Sequence, residues 1–97
     1  MIAREWRGVA RDAAGAQAYL RHFDASVMPA LAKLAGQRGA RVLRRNEVEI
    51  VVLTFWDSME SVRAFAAPDC ERAVVEPQAR AVLERFDDFV RHYEVAR

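Results

Sequence analysis

The fold is decided by the stretch from Val48 to Phe65, which reads VEIVVLTFWDSMESVRAF. Residues 50–56 run almost without a polar break and are rich in β-branched side chains, a composition that favours a β-strand. A strand with one solvated face would alternate apolar and polar residues, so the unbroken run indicates cover on both faces. We therefore expect this strand at the centre of the sheet.

A helix follows this strand almost without a loop. Asp57 or Ser58 can cap its first turn through a side-chain oxygen, and with Asp57 as the cap, Glu60 completes a capping-box pair. Apolar residues then recur at helical spacing until Pro68, which ends the helix because the residue before a proline avoids the α region. The stretch predicts a strand joined directly to a helix.

Length and charge restrict the class of protein. The 97 residues are 53% hydrophobic and 30% charged, which is typical of one globular domain spanning residues 1–97. The formal net charge is +1 and both signs are mixed along the chain, so we expect no nucleic-acid partner. Four arginines between Arg38 and Arg45 fit a solvated hairpin, because charged edge strands resist aggregation.

Cysteine usage and hydropathy indicate a cytoplasmic protein. Cys70 is the single cysteine, which excludes an internal disulfide and argues against a cysteine-built metal site. The chain opens without the apolar segment of a signal peptide, and no window approaches the roughly 18 apolar residues of a membrane helix. We expect no membrane partner, no metal and no cofactor.

The first third of the chain predicts a strand and a long helix. Trp6 marks the buried side of a strand over residues 2–9, and Asp12 is placed to cap a helix about 22 residues long. Pro29 lacks an amide proton, so it predicts a kink near residues 25–29, and Gly36 is placed to end the helix. The apolar stripe of this helix comprises Ala16, Leu20, Phe23, Val27, Leu31 and Leu34.

The remaining segments complete a small sheet. Residues 39–45 predict a strand that pairs with the central strand as an antiparallel hairpin. After the second helix, residues 68–77 predict one turn of helix and residues 78–83 another short helical piece. Residues 86–95 alternate in a final strand. This order of elements predicts an α+β domain with the ferredoxin-like split β-α-β-β-α-β fold. It has a four-stranded antiparallel sheet, with both main helices on one face.

One face of this sheet lacks cover from its own chain. An apolar face of four strands exceeds the few hundred Å² that soluble monomers normally expose. Two-fold contacts between identical subunits are the commonest way to bury such a face. The sequence therefore predicts a homodimer whose two sheets face one another and leave an enclosed space in each half.

The chain resembles the antibiotic biosynthesis monooxygenase-like family of dimeric α/β-barrel proteins. The likeness rests on Thr54–Phe65, on the opening Trp6–Gly8, on the closing His92–Val95, and on the pattern of Tyr19 followed by Val27–Pro29. It spans nearly the whole chain. It implies the fold, whereas the family is mixed in role: cofactor-free oxygenases of aromatic polyketides, haem-degrading enzymes and small members without an assigned activity.

The haem-degrading branch of that family has its own residue pattern. Its members carry an asparagine on the first strand, a tryptophan late in the second helix, and a histidine iron ligand ten residues later. Counting from Trp56, those last two positions fall on Phe65 and Val75, and the first strand has no asparagine. Haem degradation is therefore disfavoured, although His92 or His22 could ligate iron by another route.

His92 is the candidate catalytic residue. A histidine titrates near neutrality and can take a proton from a phenol or an activated methylene, which lets an electron-rich aromatic react with oxygen. If Phe89 and Tyr93 face the helices, His92 and Val90 face the space between the sheets. The alternative is a structural histidine that bonds to a neighbouring strand or to the partner subunit.

Five further residues are candidates for substrate binding. Trp6 and Trp56 can stack against a flat ligand, and Phe65 can join them, although all three also suit an apolar core. Tyr93 can donate a hydrogen bond to a developing oxyanion, but its alternation with Phe89 favours the helix-facing core. Arg4 shares the Trp6 face and can pair with a buried anion, or lie at the rim.

The remaining reactive residues give weaker signals. His22 lies off the apolar stripe of the long helix, so we expect it on the surface, and nothing near Cys70 in sequence lowers its pKa. No phosphate-binding loop, nucleophile elbow or helical metal pair occurs.

Two functions remain open from sequence. The first is a cofactor-independent monooxygenase that binds a hydrophobic or aromatic small molecule, and the second is a non-catalytic binding or stress-associated dimer. A cavity of about 300 Å³ or more, lined by His92 and a tryptophan, favours the first.

Overall fold

One antiparallel sheet carries the fold. A computed structural model covers residues 1–97. Its elements are β1 (Ile2–Ala10), α1 (Ala13–His22), a π-helical segment (Phe23–Val27), α2 (Met28–Ala32), β2 (Gln37–Arg44), β3 (Glu49–Trp56), α3 (Met59–Ala66), α4 (Pro77–Val82), β4 (Leu83–Phe86) and β5 (Arg91–Glu94). The strand order is β2-β3-β1-β4, with β5 also paired to β1, so the sheet has five strands where the sequence predicts four. The α+β split β-α-β-β-α-β arrangement is confirmed. None of the helices has the length and apolar character needed to span a bilayer.

The central strand β3 lies between β1 and β2, as its sequence predicts. Ile50, Val52, Thr54 and Trp56 are buried beneath the helices, where they join the main core. Residues 51, 53 and 55 point to the other side of the sheet and are half-buried. We call this second side the open face; its residues include Ala3, Glu5, Arg7, Val51, Leu53, Phe55, Arg41, Leu43 and Tyr93.

The long helix has the predicted cap and the predicted kink. The Asp12 side chain accepts a hydrogen bond from the Gly15 amide, at 2.7 Å. Pro29 cannot donate a helical hydrogen bond, and just before it the helix widens to π geometry, in which the Met28 amide bonds to the Phe23 carbonyl. Gly36 has φ +78°, the left-handed conformation expected after the helix.

The second helix is capped by Ser58, one of the two residues that the sequence offers for this role. The Ser58 side chain accepts a hydrogen bond from the Ser61 amide. Asp57 does not form the predicted capping pair with Glu60, because its carboxylate pairs with Arg38 at the start of β2. This hydrogen bond lowers the pKa of Asp57.

The predicted last strand is broken into two. β5 pairs with residues 2–5 of β1 and β4 pairs with residues 8–10, so residues 87–90 lie outside both strands. Their backbone pairs instead with the preceding loop: the Ala73 amide donates to the Asp88 carbonyl, and the Val90 amide donates to the Glu71 carbonyl. Residues 68–76 therefore form a loop with one tight turn at residues 70–71, where the sequence predicts one turn of helix over residues 68–77.

Candidate functional site

A cavity of about 140 Å³ lies between the sheet and the helices, inside one subunit. This cavity is distinct from the predicted chamber between two facing sheets, which stays a prediction. Of its 17 lining residues, 13 are hydrophobic. All 17 lining residues are Arg4, Trp6, Val52, Thr54 and Val90 on the sheet side, Tyr19, His22, Phe23, Val27, Ala30, Leu31, Phe65 and Ala79 from the helices, Leu34 from the turn after α2, and Val74, Val75 and Glu76 from the loop before α4.

Trp6 forms an aromatic wall of the cavity. Its ring stacks on Tyr19 of α1, with 5.8 Å between ring centroids and 25° between planes. Its Nε1 donates a hydrogen bond to the Asp87 carbonyl at 3.0 Å, which fixes the ring against the gap between β4 and β5. Gly8 makes room for this ring, because a Cβ at that position would lie 2.7 Å from Cη2 of Trp6. The side chain is buried at the cavity, as the sequence predicts.

Phe65 and Trp56 form a second aromatic layer. Trp56 is fully buried and donates a hydrogen bond to Oγ1 of Thr54 at 2.9 Å. Phe65 stacks on it, with 5.1 Å between centroids, and Phe65 alone of the two lines the cavity. Trp56 therefore lies behind the wall and supports the ring that forms it.

Arg4 is a buried cation beside the cavity, at 5% exposure. Its Nη1 donates to the Cys70 carbonyl and to Nε2 of His92, and its Nη2 donates to the Arg72 carbonyl at 2.9 Å. The guanidinium also lies 5.6 Å from the centre of the Phe65 ring. Arg4 has no carboxylate partner within ion-pair distance, and burial lowers its pKa, although an arginine stays charged at neutral pH.

His92 lies opposite Arg4 in the register of β1 and β5, on the helix-facing side of the sheet. Its Nε2 accepts the hydrogen bond from Arg4 at 3.0 Å. Burial, and then the charge of Arg4, lower the pKa of His92, while Glu71 raises it less. His92 itself does not line the cavity, because Arg4 stands between the ring and the open space.

Tyr93 lies on the open face, away from the cavity, and is 47% exposed. Its hydroxyl donates to Oε1 of Glu5 at 2.9 Å, a bond that raises the pKa of Tyr93. The expected orientation of β5 is therefore reversed: Tyr93 points away from the helices, and His92 and Val90 point towards them. The interruption after β4 leaves the alternation unchanged, since Phe86 and His92 both pair with helix-facing residues of β1. The buried set of this segment is therefore the one that contains Val90 and His92, and Phe89 and Tyr93 belong to the exposed set.

His22 lines the cavity, where sequence reasoning placed it on the surface. Its side chain is 12% exposed, and its Nε2 is buried without a hydrogen-bond partner. The nearest acceptor is Oε1 of Glu76, 3.7 Å away. The sequence does contain a signal for this position. His22 is three residues after Tyr19 and one before Phe23, a spacing that puts all three on one side of the long helix.

The loop over residues 67–76 closes one side of the cavity. Arg4 holds this loop through two carbonyls, those of Cys70 and Arg72. Glu76 ends the loop as the N-cap residue of α4. Burial, and then the charge of Glu76, raise the pKa of Tyr19, so the Tyr19 hydroxyl keeps its proton at neutral pH.

A wider depression of about 410 Å³ lies at one end of the open face. Only four of its ten lining residues are hydrophobic, and charged groups such as Arg45, Glu49 and Arg85 surround it. Its polar lining makes it a poorer match than the smaller cavity for an apolar ligand.

Neither a metal centre nor the haem-degrading pattern is assembled at the cavity. No group of three or more His, Cys, Asp or Glu side chains comes together to hold a metal ion. Phe65 and Val75, which fall where that branch carries tryptophan and the histidine ligand, both line the cavity. Val75 offers no atom that can ligate iron, so the pattern does not fit.

Comparison with solved structures relates this fold to known proteins. A variant of SnoaB, a cofactor-independent oxygenase from Streptomyces nogalater, is 18% identical, with a TM-score of 0.71 over 99% of this chain and 93% of that one. A candidate antibiotic biosynthesis monooxygenase from Deinococcus radiodurans is 13% identical, with a TM-score of 0.68 over 100% and 94%.

A haem degrader is also similar in fold. MhuD from Mycobacterium tuberculosis, solved with two haems in its active site, is 22% identical, with a TM-score of 0.59 over 97% of this chain and 95% of that one. No family model and no curated protein sequence matches the chain. At these identities the likeness concerns the fold, and the chain has the antibiotic biosynthesis monooxygenase-like fold.

Proposed function

We propose that this protein binds a flat hydrophobic or aromatic small molecule between its sheet and helices, and that it acts as a cofactor-independent monooxygenase. The observation that carries the proposal is an aromatic-walled cavity beside a buried arginine that has no carboxylate partner. Trp6 and Phe65 supply ring faces for stacking. The fold neighbour SnoaB is described as a cofactor-independent oxygenase, which agrees with this reaction class.

Arg4 supplies the electrostatic part of the proposal. A phenol or an activated methylene becomes reactive towards oxygen once it has lost a proton, here to solvent water, and its anion then needs a positive partner. Molecular oxygen is the oxidant: one of its atoms enters the product and the other leaves as water. A buried charge interacts strongly with such an anion because little water screens it. Arg4 has used three of its five N–H donors on protein acceptors, so it can still donate to a ligand oxygen.

His92 acts in this proposal through Arg4. Its role as a proton acceptor requires Arg4 to release Nε2, and the ring lies behind the guanidinium. We therefore propose His92 as a positioning residue that holds the guanidinium towards the cavity. Trp56 supports Phe65 in the same way, and Tyr93 belongs to the surface between subunits.

We also propose a homodimer that buries the open face. Val51, Leu53 and Phe55 stay half-buried in the single chain, and Leu43 and Tyr93 are each 47% exposed. Partly exposed apolar side chains flanked by charged ones, here Glu5, Arg7 and Arg41, commonly mark an interface. The isologous pairing of two open faces would cover the central strand on both sides, as its sequence requires.

A non-catalytic binding dimer is the alternative function. The cavity of about 140 Å³ is below the range of about 300–1,000 Å³ typical of ligand sites, so it accommodates one ring unless the loop moves. The same small volume disfavours haem as the occupant.

Oxygen uptake tests the proposal directly. The purified protein should show no haem or flavin absorption, and should consume oxygen when an electron-rich one-ring phenol such as 1,3,5-trihydroxybenzene is added. Arg4→Met should abolish this uptake, whereas Arg63→Met, at an exposed position of α3, should leave it unchanged. Binding of this phenol without oxygen uptake would favour the non-catalytic dimer, and absence of binding would refute the ligand site.

A further inference from the structure

Two polar groups at the helix end of the cavity face each other without a bond between them. Nε2 of His22 is buried and makes no hydrogen bond, although buried polar atoms in folded proteins are normally paired. Oε1 of Glu76 lies 3.7 Å from it, beyond hydrogen-bond distance. Both residues line the same largely apolar space, which Arg4 and Thr54 also line. The unpaired nitrogen therefore points to an acceptor or donor that the ligand brings.

We propose that His22 and Glu76 form a specificity-determining pair that selects ligands carrying a hydroxyl group. This rests on the proposed function, since it assigns a role at the same cavity. A hydroxyl oxygen bridges the two atoms when the His22 and Glu76 side chains part slightly from their 3.7 Å separation, because Nε2 is fully covered before the ligand enters. It accepts a hydrogen bond from Nε2–H of His22 and donates its own proton to the Glu76 carboxylate.

The arrangement discriminates between a hydroxyl and an ether. An ether oxygen can accept from His22 but has no proton for Glu76, whose side chain is 46% exposed and then bonds only to water. Sites that hydrogen-bond a hydroxyl reject analogues lacking it, because their own polar groups then go unsatisfied. The charge of Glu76 already acts on the neighbouring Tyr19 hydroxyl, which places that carboxylate close to the cavity.

A matched pair of one-ring probes tests this inference by fluorine NMR titration. The wild-type protein should bind 4-fluorophenol about tenfold more tightly than 4-fluoroanisole, which differs by one methyl group. Glu76→Gln should reduce this preference below about threefold, because an amide is a weaker acceptor than a carboxylate. His22→Phe should remove the preference and keep the binding of 4-fluoroanisole. Glu60→Gln, on the exposed side of α3, is the control and should keep the wild-type preference.

The outcomes separate this inference from the function on which it depends. Binding of both probes with equal affinity would leave the ligand site intact and refute the role of His22 and Glu76. A preference for the phenol that survives in Glu76→Gln would refute it as well, even if His22→Phe failed to fold. Binding of neither probe would refute the ligand site, and the inference with it.

Discussion

Arg4 donates a hydrogen bond from Nη1 to Nε2 of His92, 3.0 Å away on the neighbouring strand. Because a guanidinium can only donate, Nε2 must accept, and the neutral imidazole carries its proton on Nδ1. Burial and the positive charge of Arg4 both lower the pKa of His92. The two side chains therefore form one unit, in which a neutral histidine faces a buried cation.

This unit predicts a pH dependence of stability. The pKa of His92 in the folded protein lies below 6.5, its ordinary value, so acid protonates the unfolded chain first. Its contribution to the free energy of unfolding is therefore complete above pH 6.5 and is lost as the pH falls towards the folded pKa. The variant His92→Gln keeps a hydrogen-bond acceptor for Arg4 and removes the group that titrates. Urea unfolding between about pH 5 and pH 8 should show His92→Gln gaining stability relative to wild type in acid; a constant difference contradicts the prediction.

Loss of Arg4 should loosen the loop over residues 67–76. Arg4→Met removes the donors to the Cys70 and Arg72 carbonyls, and should cost about 1–3 kcal/mol of unfolding free energy. Hydrogen exchange should accelerate at the Ala73 amide, which bonds to the Asp88 carbonyl. Arg63→Met is the control and should change stability by less than about 0.5 kcal/mol. An unchanged hydrogen-exchange rate at the Ala73 amide in Arg4→Met would show that the loop keeps its conformation without Arg4.

Gly8 should tolerate no side chain while Trp6 is present. A Cβ at Gly8 would lie 2.7 Å from Cη2 of Trp6, so Gly8→Ala must displace the indole and its bond to the Asp87 carbonyl. We expect a loss of about 1–3 kcal/mol in urea unfolding. The double variant Gly8→Ala with Trp6→Phe should lose less than the sum of the single changes, because the smaller ring relieves the clash. Strict additivity would indicate another cause.

A charge on the open face should separate the proposed dimer. Wild-type protein should sediment at twice the mass of one chain at micromolar concentration, because pairing buries Leu53 and its neighbours. Leu53→Asp should sediment as a monomer with an unchanged far-UV circular dichroism spectrum. Ala14→Asp, on the exposed side of α1, should remain dimeric. A monomeric wild-type protein would require another explanation for the apolar central strand.

Local patterns in the sequence are sufficient to predict most of the fold. The central strand, the Asp12 cap and the kink before Pro29 follow from residues close together in the chain, and each is present. The break in the last strand is different, because residues 88 and 90 pair with a loop about 17 residues earlier. Alternation within residues 86–95 carries no trace of that pairing.

The candidate site was predictable only in part. Arg4, Trp6 and Phe65, three of the candidates for substrate binding, line the cavity. His92 and Tyr93 are neighbours in β5, so strand alternation places them on opposite sides of the sheet. The sequence prediction misses His22 because it places Leu20 on the apolar stripe of the long helix. Tyr19 is in fact more deeply buried than Leu20, and His22 lies on the Tyr19 side.

The π-helical segment Phe23–Val27 allows the cavity to tolerate deletion of a single codon. This wide turn holds one residue more than an α-helical turn, so one residue fewer would restore α geometry with little change of direction on either side. The part of the helix that carries Tyr19 and His22 would keep its orientation relative to the part that carries Leu31. A gene shortened by three nucleotides at this point should keep both the sheet and the chamber.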